Sequence, residues 1–393
     1  MHNDRAEKPV YGAAIRGLWA LDPEFLTVNH GSFGATPLAV LAAQDEWRRQ
    51  LEAQPSRFMR RVLPGALREA AARLAAFLNA EADDLAFVDN ATVGCNAVLR
   101  SLRLGRGDEI LVFDHGYAAV RNAARHVAER GGARVVEAKL PFPDPSDDAI
   151  TAAFKAALTP RTRLAIVDHI TSPSALVMPV ARLASASREA GVPIMVDGAH
   201  GPGQVTMDLG ALGADWYAGN CHKWLSAPKG CAFLWARRDR QQDLHPVTIS
   251  HGYGQGFLAE FDWTGTRDPS AFLAVGAAID LHERLGGAAL RRRNAELARE
   301  GARRIADALG TQCGGAPAMY ASMGLVRLPV PGPATRERAV ALRERLLVEF
   351  RTDAPLHALG GSIWLRLSAA AYNEPGDYAA LAGIARRLAG LGN

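Results

Sequence analysis

The run Val192-Pro193-Ile194-Met195-Val196-Asp197-Gly198-Ala199-His200, followed further on by Gly219-Asn220-Cys221-His222-Lys223-Trp224, decides the fold. A short apolar run that ends in an acid and then in Gly-Ala reads as a buried strand leaving a sheet, which puts Asp197 at the sheet's edge. The second stretch follows another apolar segment, Ala214 to Gly219, and sets a lysine between an imidazole and an indole. Only five of the 45 basic residues are lysines, Lys8, Lys139, Lys155, Lys223 and Lys229. Arginine therefore carries the surface charge, and a lysine in apolar company invites a chemical explanation.

A partly desolvated lysine has a lowered pKa, which exposes its lone pair and suits it to condense with a carbonyl compound. Pyridoxal phosphate is the common cofactor held this way, and a carboxylate opposite its ring nitrogen keeps the ring electron-poor. Asp197 and Lys223 fit those two roles. Taken singly, Asp197 also reads as a helix cap and Lys223 as a snorkelling surface residue. The combination favours the chemistry.

A chain of 393 residues has room for two or three folding units around a large core. With 48% hydrophobic and 22% charged residues it leaves no room for extended disorder. The net charge of +4 is spread over scattered arginines, which indicates neither a nucleic acid nor a membrane surface as partner. Even the run Arg291-Arg292-Arg293 falls inside a helical pattern, Ala288 to Leu309, as a solvated face. Four cysteines, Cys95, Cys221, Cys231 and Cys313, show no CxxC spacing, so neither zinc nor a disulfide framework is expected. No metal is expected elsewhere. Met1 to Tyr11 is polar, unlike a signal peptide, and no run approaches the ~20 apolar residues of a membrane span. A soluble, cytoplasmic protein is the expectation.

Along the chain, Asn29-His30-Gly31-Ser32-Phe33-Gly34 reads as a Gly-rich loop before a helix, Pro37 to Gln54. It does not match GxSxG, so Ser32 is a poor hydrolase nucleophile. Asn29 and His30 either line a pocket or form a turn and cap. Pro55 to Arg61 reads as a loop whose arginines, Arg57 among them, meet an anionic substrate or solvent. A helix follows from Pro64 to Leu78. Strand Leu85 to Val88 leads into the turn Asn90-Ala91-Thr92-Val93-Gly94 and a helix from Cys95 to Leu102, a geometry that binds phosphate at a helix N-terminus. Thr92 is the candidate there, though a cap explains it equally well.

Alternation then continues: strand Glu109 to Phe113 with Asp114-His115-Gly116-Tyr117 at its end, helix Ala118 to Arg130, strand Arg134 to Ala138 and helix Ala149 to Leu158. Strand Leu164 to Asp168, the turn His169 to Pro173 and helix Val180 to Ala190 precede the Asp197 strand. Such alternation implies an α/β fold, a mostly parallel sheet with helices on both faces and ligands at the carboxyl ends of its strands. His115, Ser172, Asp197 and Lys223 fall at such ends. His115 either stacks on a cofactor ring or sits in the core, and Tyr117 is its rival. Ser250 to Gly256, with Tyr253, is a flexible loop without GxGxxG, so dinucleotide binding is unsupported. Beyond helix Ser270 to Leu285 come long helices, strands near Gly324 to Leu328 and Ile363 to Leu367, and a final helix. The expected division is an N-terminal segment (1–35) beside the small domain, a large domain (36–289) and a smaller α+β domain (290–393).

Together these residues resemble the fold-type I pyridoxal-phosphate enzymes of the class V aminotransferase-like superfamily, in particular its isopenicillin N epimerase-like branch. The resemblance rests on Asn29-His30-Gly31-Ser32-Phe33-Gly34, Asn90-Ala91-Thr92, Thr171-Ser172-Pro173, Asp197-Gly198-Ala199-His200, Gly219 to Trp224, Gly265-Thr266-Arg267-Asp268-Pro269 and Arg366-Leu367-Ser368. They occur in family order and span nearly the whole chain. The resemblance implies that Lys223 carries the cofactor and moves the proton, Asp197 pairs with the ring nitrogen, His200 contacts the ring hydroxyl and His115 stacks on the ring. It implies a phosphate site of Thr92, Asn220 and His222, with Thr266 reaching it from the partner in a homodimer. Ala91, at the helix start, and Ser172, in turn chemistry at a strand end, are further cofactor-contact candidates. Arg366 would fork onto the substrate carboxylate. Apart from the resemblance, Asn29, His30, Arg57 and Tyr253 are candidates to line the amino-acid site, each with a structural role as the alternative.

The family's sulfur-transferring members carry a cysteine shortly before the arginine matched by Arg366. Here Leu356-His357-Ala358-Leu359-Gly360-Gly361-Ser362 holds none, and Cys313 lies far upstream, so a persulfide mechanism is disfavoured. Epimerisation of an amino acid is the implied reaction. The alternatives are a carbon–sulfur β-lyase, an aminotransferase, and an idle cofactor-binding protein. Epimerisation also needs an acid on the face away from Lys223, which the sequence does not identify.

Overall fold

The computed structural model describes residues 9–391. Its strands, in chain order, are β1 (Leu26–Thr27), β2 (Leu85–Val88), β3 (Glu109–Phe113), β4 (Arg134–Ala138), β5 (Thr162–Asp168), β6 (Ile194–Gly198), β7 (Trp216–Asn220), β8 (Ala232–Ala236), β9 (Met323–Leu328), β10 (Thr352–Asp353), β11 (Leu356–Leu359) and β12 (Ser362–Ser368). Seven of them form one sheet in the order β2-β8-β7-β6-β5-β3-β4. Only β8 runs against its neighbours, and every other pairing is parallel. The fold is α/β with a mostly parallel sheet.

These strands have no polar alternation because both faces are covered. Ile194 and Val196 face one core while Met195 faces the other, and Leu164 and Ile166 oppose Ala165 and Val167 in the same way. The helices between the strands, Ala118–Gly131, Asp147–Ala157 and Val180–Glu189, supply the covering layers. After β3 the chain steps out to β4 and returns to the other side of β3 as β5. That reversal opens a crevice at the carboxyl ends of β3, β5, β6 and β7, the place where such sheets bind ligands.

A second sheet, β11-β12-β9, is antiparallel and packs with helices Ala288–Leu309 and Pro375–Leu388 around its own core. The N-terminal segment joins it: β1 pairs in parallel with β10, and the Gly12 N–H donates to the Ala371 carbonyl at 2.8 Å. Among the described residues no helix is long and apolar enough to cross a membrane.

Several sequence expectations need correction. Pro55 to Arg61 is helical, not a loop, and winds through a π-helical turn, Phe58–Val62, into helix Leu63–Phe77. Burying Phe58 against Trp47 supports this turn. The helix after β2 begins at Ala91 because the Asn90 side chain accepts from the Val93 N–H at 2.9 Å. The expected helix Ser270 to Leu285 breaks at Ala274, and helix Arg336–Glu349 went unrecognised.

Burial pushes His30, His169, His222 and His282 down to about 4 from the usual 6.5. Between those values the unfolded chain takes up protons that the folded chain does not, so stability is full above pH 6.5 and is lost as the pH falls towards 4. Thermal unfolding should show Tm dropping on the order of 10 °C between pH 7 and pH 5. A flat Tm over that range would contradict the burial of these imidazoles as neutral groups.

Candidate active site

The crevice holds a cavity of about 490 Å³ bordered by Tyr117, Asp168, Asp197, Asn220 and Lys223, each at or just beyond the carboxyl end of a strand. Register brings Asp168 of β5 directly beside Asp197 of β6. Both carboxyls are buried, which raises their pKa, and Asp168 is raised further by the neighbouring Asp197 charge. Asp197 Oδ1 accepts the Ala199 N–H at 3.0 Å, which fixes its rotamer.

Lys223 is 8% exposed, and burial pushes its pKa down to about 8. Asp197 and Asp168 oppose that shift while Arg366 assists it. Its Nζ lies 3.2 Å from His200 Nε2, and its carbonyl lies 3.0 Å from His30 Nε2. The lysine is thus held at both side chain and backbone. In this environment its neutral amine is accessible near neutral pH, the property a nucleophile or a base needs.

At the other end of the cavity helix Ala91–Ser101 presents its first turn. Asn220 Oδ1 accepts the Ala91 N–H at 2.8 Å, the Asn90 side chain takes that of Val93, and the Asn90 carbonyl takes that of Gly94. Among the described residues only the Thr92 N–H in this first turn is left free, beside its own hydroxyl. His222 also borders the cavity, with Nδ1 3.2 Å from the Cys231 carbonyl. A helix N-terminus with a free N–H is a setting suited to an anion.

Arg366 of β12 stands behind the Ser172 and Ser32 part of the wall, only 3% exposed. Its guanidinium donates to the Ser172 carbonyl (2.5 Å), Ser172 Oγ (3.3 Å), Asn29 Oδ1 (3.2 Å) and Ser32 Oγ (3.0 Å). All four acceptors are neutral, and no described carboxylate forms an ion pair with it. Burial lowers its pKa to about 10, so it remains a cation at neutral pH. A buried, uncompensated guanidinium is suited to an incoming carboxylate.

Not every expected residue reaches the cavity. His115 turns away, with Nδ1 3.0 Å from Ser174 Oγ and its ring against Phe142, and Tyr117 borders the cavity instead. A Cβ on Gly116, between them, would lie 2.9 Å from the Phe113 carbonyl oxygen. His30 is a bracket: Nδ1 meets the Tyr372 hydroxyl at 3.0 Å and Nε2 the Lys223 carbonyl. Asn29 is spent on Arg366 and Asp353. Asn220 borders the cavity, but its oxygen is spent on the helix start. Arg57 is exposed on its helix, away from the wall. Tyr253 is 62% exposed against His245, and Thr266 is exposed, so neither borders the cavity of its own chain. Asp168, which the sequence reading passed over, ends its strand just as Asp197 does; that shared ending was the available signal.

The family described as Aminotransferase class-V matches residues 34–374. The chain belongs to that family. A probable chloroplastic L-cysteine desulfhydrase of Arabidopsis thaliana is 36% identical over 386 residues, covering 91% of this chain and 81% of the relative. The isopenicillin N epimerase of Streptomyces clavuligerus is 35% identical over 394 residues, covering 95% and 98%. Among solved structures, the cystine C-S lyase C-DES bound to its product cysteine persulfide superposes with a TM-score of 0.79 at 24% identity, covering 94% of this chain and 99% of that one. Family membership and these relatives make the chain an enzyme. Within this family site, Asn220→Ala should leave the Ala91 N–H unpaired and cost about 1–3 kcal/mol in denaturant unfolding, while Asn220→Asp, which keeps an acceptor, should lose less.

Proposed function

We propose that this class V enzyme uses pyridoxal 5'-phosphate to remove the α-proton of an amino acid and return it on the opposite face, an epimerisation. The observation that carries the cofactor reading is Lys223, a buried amine with lowered proton affinity facing a cavity of suitable size. The remaining groups fit the same cofactor: Asp197 for the ring nitrogen, His200 for the ring hydroxyl, and the Thr92 N–H and hydroxyl with His222 for the phosphate. His222 Nδ1–H is committed to a carbonyl, so its Nε2 becomes a donor on protonation, which a bound dianion favours. Thr266 reaches the second site of a homodimer in this reading. When bound, the cofactor supplies an aldehyde for attachment to lysine and a ring that withdraws electrons from the substrate's α-carbon.

The chain's own residues do the rest. Arg366 orients the substrate by its carboxylate, and Lys223 takes the α-proton at Nζ. Tyr117 and Lys223 follow β3 and β7, three strand spacings or roughly 14 Å apart, with Asp168 and Asp197 between them. Both residues border the same cavity, the amine past β7 and the phenol past β3. Tyr117 is accordingly the second acid that epimerisation requires.

Elimination of a sulfur side chain is the second reading, supported by the desulfhydrase relatives and by needing only one base. In either case no persulfide relay is available. The stretch before Arg366 is a tight hairpin, with Gly360 and Gly361 at φ +51° and +73° joining β11 to β12, and no cysteine borders the cavity among the described residues.

Incubation of candidate amino acids in deuterium oxide tests the choice. Epimerisation gives α-deuterium with inversion, and Tyr117→Phe should keep exchange on one enantiomer while slowing inversion at least ~100-fold. Sulfide and pyruvate without inversion would establish the lyase. Lys223→Ala should abolish the borohydride-reducible chromophore, and its persistence would refute the attachment site. Arg366→Ala should raise KM by about 10- to 100-fold with cofactor retained; loss of cofactor would remove Arg366 from the carboxylate role.

A further inference from the structure

Lys223 ends a chain of hydrogen bonds that starts on the next residue. The Trp224 indole N–H donates to His200 Nδ1 at 3.2 Å, and His200 Nε2 lies 3.2 Å from Lys223 Nζ. An indole N–H can only donate, so the Nδ1 that receives it bears no proton. A neutral imidazole then carries its proton on Nε2. His200 is neutral: it is 2% exposed, and burial above all, with the Arg366 charge, holds its pKa well below the usual range. The Nε2–H therefore points at Lys223 Nζ. An ammonium would set N–H against N–H there; only the free amine accepts.

We propose that Trp224 is a positioning residue that, by fixing the tautomer of His200, biases Lys223 toward the unprotonated amine. The inference rests on the reading of Lys223 as the cofactor's attachment point and adds the means by which it stays reactive. Around the amine, Asp197 and Asp168 from β6 and β5 favour the ammonium, while Arg366 from β12 opposes it. His222, from the lysine's own loop, is neutral and joins neither side. The tautomer adds a short-range, directional preference for the amine that the carboxylates do not supply. Trp224 is itself fixed, 6% exposed with its ring 5.2 Å from that of His30, the residue that holds the Lys223 carbonyl.

In condensation with pyridoxal phosphate the amine lone pair forms the bond to the aldehyde carbon and the carbonyl oxygen leaves as water, so only unprotonated lysine reacts. The test follows that reaction from pH 6 to 10 in the full chain freed of cofactor, trapping the product with borohydride. Trp224→Phe keeps the ring and removes the N–H. The pH midpoint should rise by about one unit, with condensation about tenfold slower at pH 7. His200→Gln, whose amide oxygen accepts from Trp224 and whose amide N–H donates to Lys223, should keep the midpoint near that of the unaltered chain. Imidazole ¹⁵N NMR of the unaltered chain, with the His200→Gln spectrum giving the assignment, should show His200 protonated on Nε2 alone. An unchanged midpoint in folded Trp224→Phe, a midpoint raised by a unit in His200→Gln, or a proton on Nδ1 would each overturn the inference. Should Trp224→Phe fail to fold, the other two measurements decide it. Absence of any trapped lysine in the unaltered chain would instead overturn the attachment reading.

Discussion

Keeping a primary amine out of water without pairing it to a single counter-ion is the constraint on which this structure turns. A lysine in such a place sheds its proton readily, and the protein must hold the amine still while it does so. The two acids under the cavity are shared over the floor of the site instead of closing on Nζ. His200 meets the amine at the side chain and His30 at the backbone. Both imidazoles are buried and neutral, so they hold the lysine without placing a second charge beside it.

The same economy governs the site's cation. Arg366 is surrounded by a carbonyl, two hydroxyls and an amide oxygen, enough to satisfy both of its Nη groups without neutralising it. The charge stays available to a ligand that brings a carboxylate. Its position is set by the antiparallel sheet, whereas Lys223, Asp197 and Asp168 are set by the parallel one. The buried amine and the buried guanidinium thus come from different parts of the chain.

Close backbone approach locks these parts together. A Cβ on Gly34, whose φ of +71° already favours glycine, would lie 2.0 Å from the His222 carbonyl oxygen, and one on Gly198 would lie 1.9 Å from the Tyr217 ring. The first contact seats the N-terminal loop on the lysine loop. The second lets the Tyr217 ring pack against the end of β6, next to Asp197.

How much of this was legible in the sequence depends on the range of the interaction. The strands around Asp197 and Asp168, the helix after Asn90 and the lysine in apolar company are local patterns. They determined an α/β sheet, the candidate amine and its acid, and the family. His115 and Tyr117 share one short loop, and Asn29, His30 and Arg57 are polar residues near a motif; nothing local says which way each side chain faces. Tertiary structure decided that Tyr117 faces the cavity, that His30 braces a carbonyl and that Asp168 sits beside Asp197. The physical reason is that strand order and register place residues far apart in the chain within hydrogen-bonding distance, and a sequence read in short windows carries no record of register.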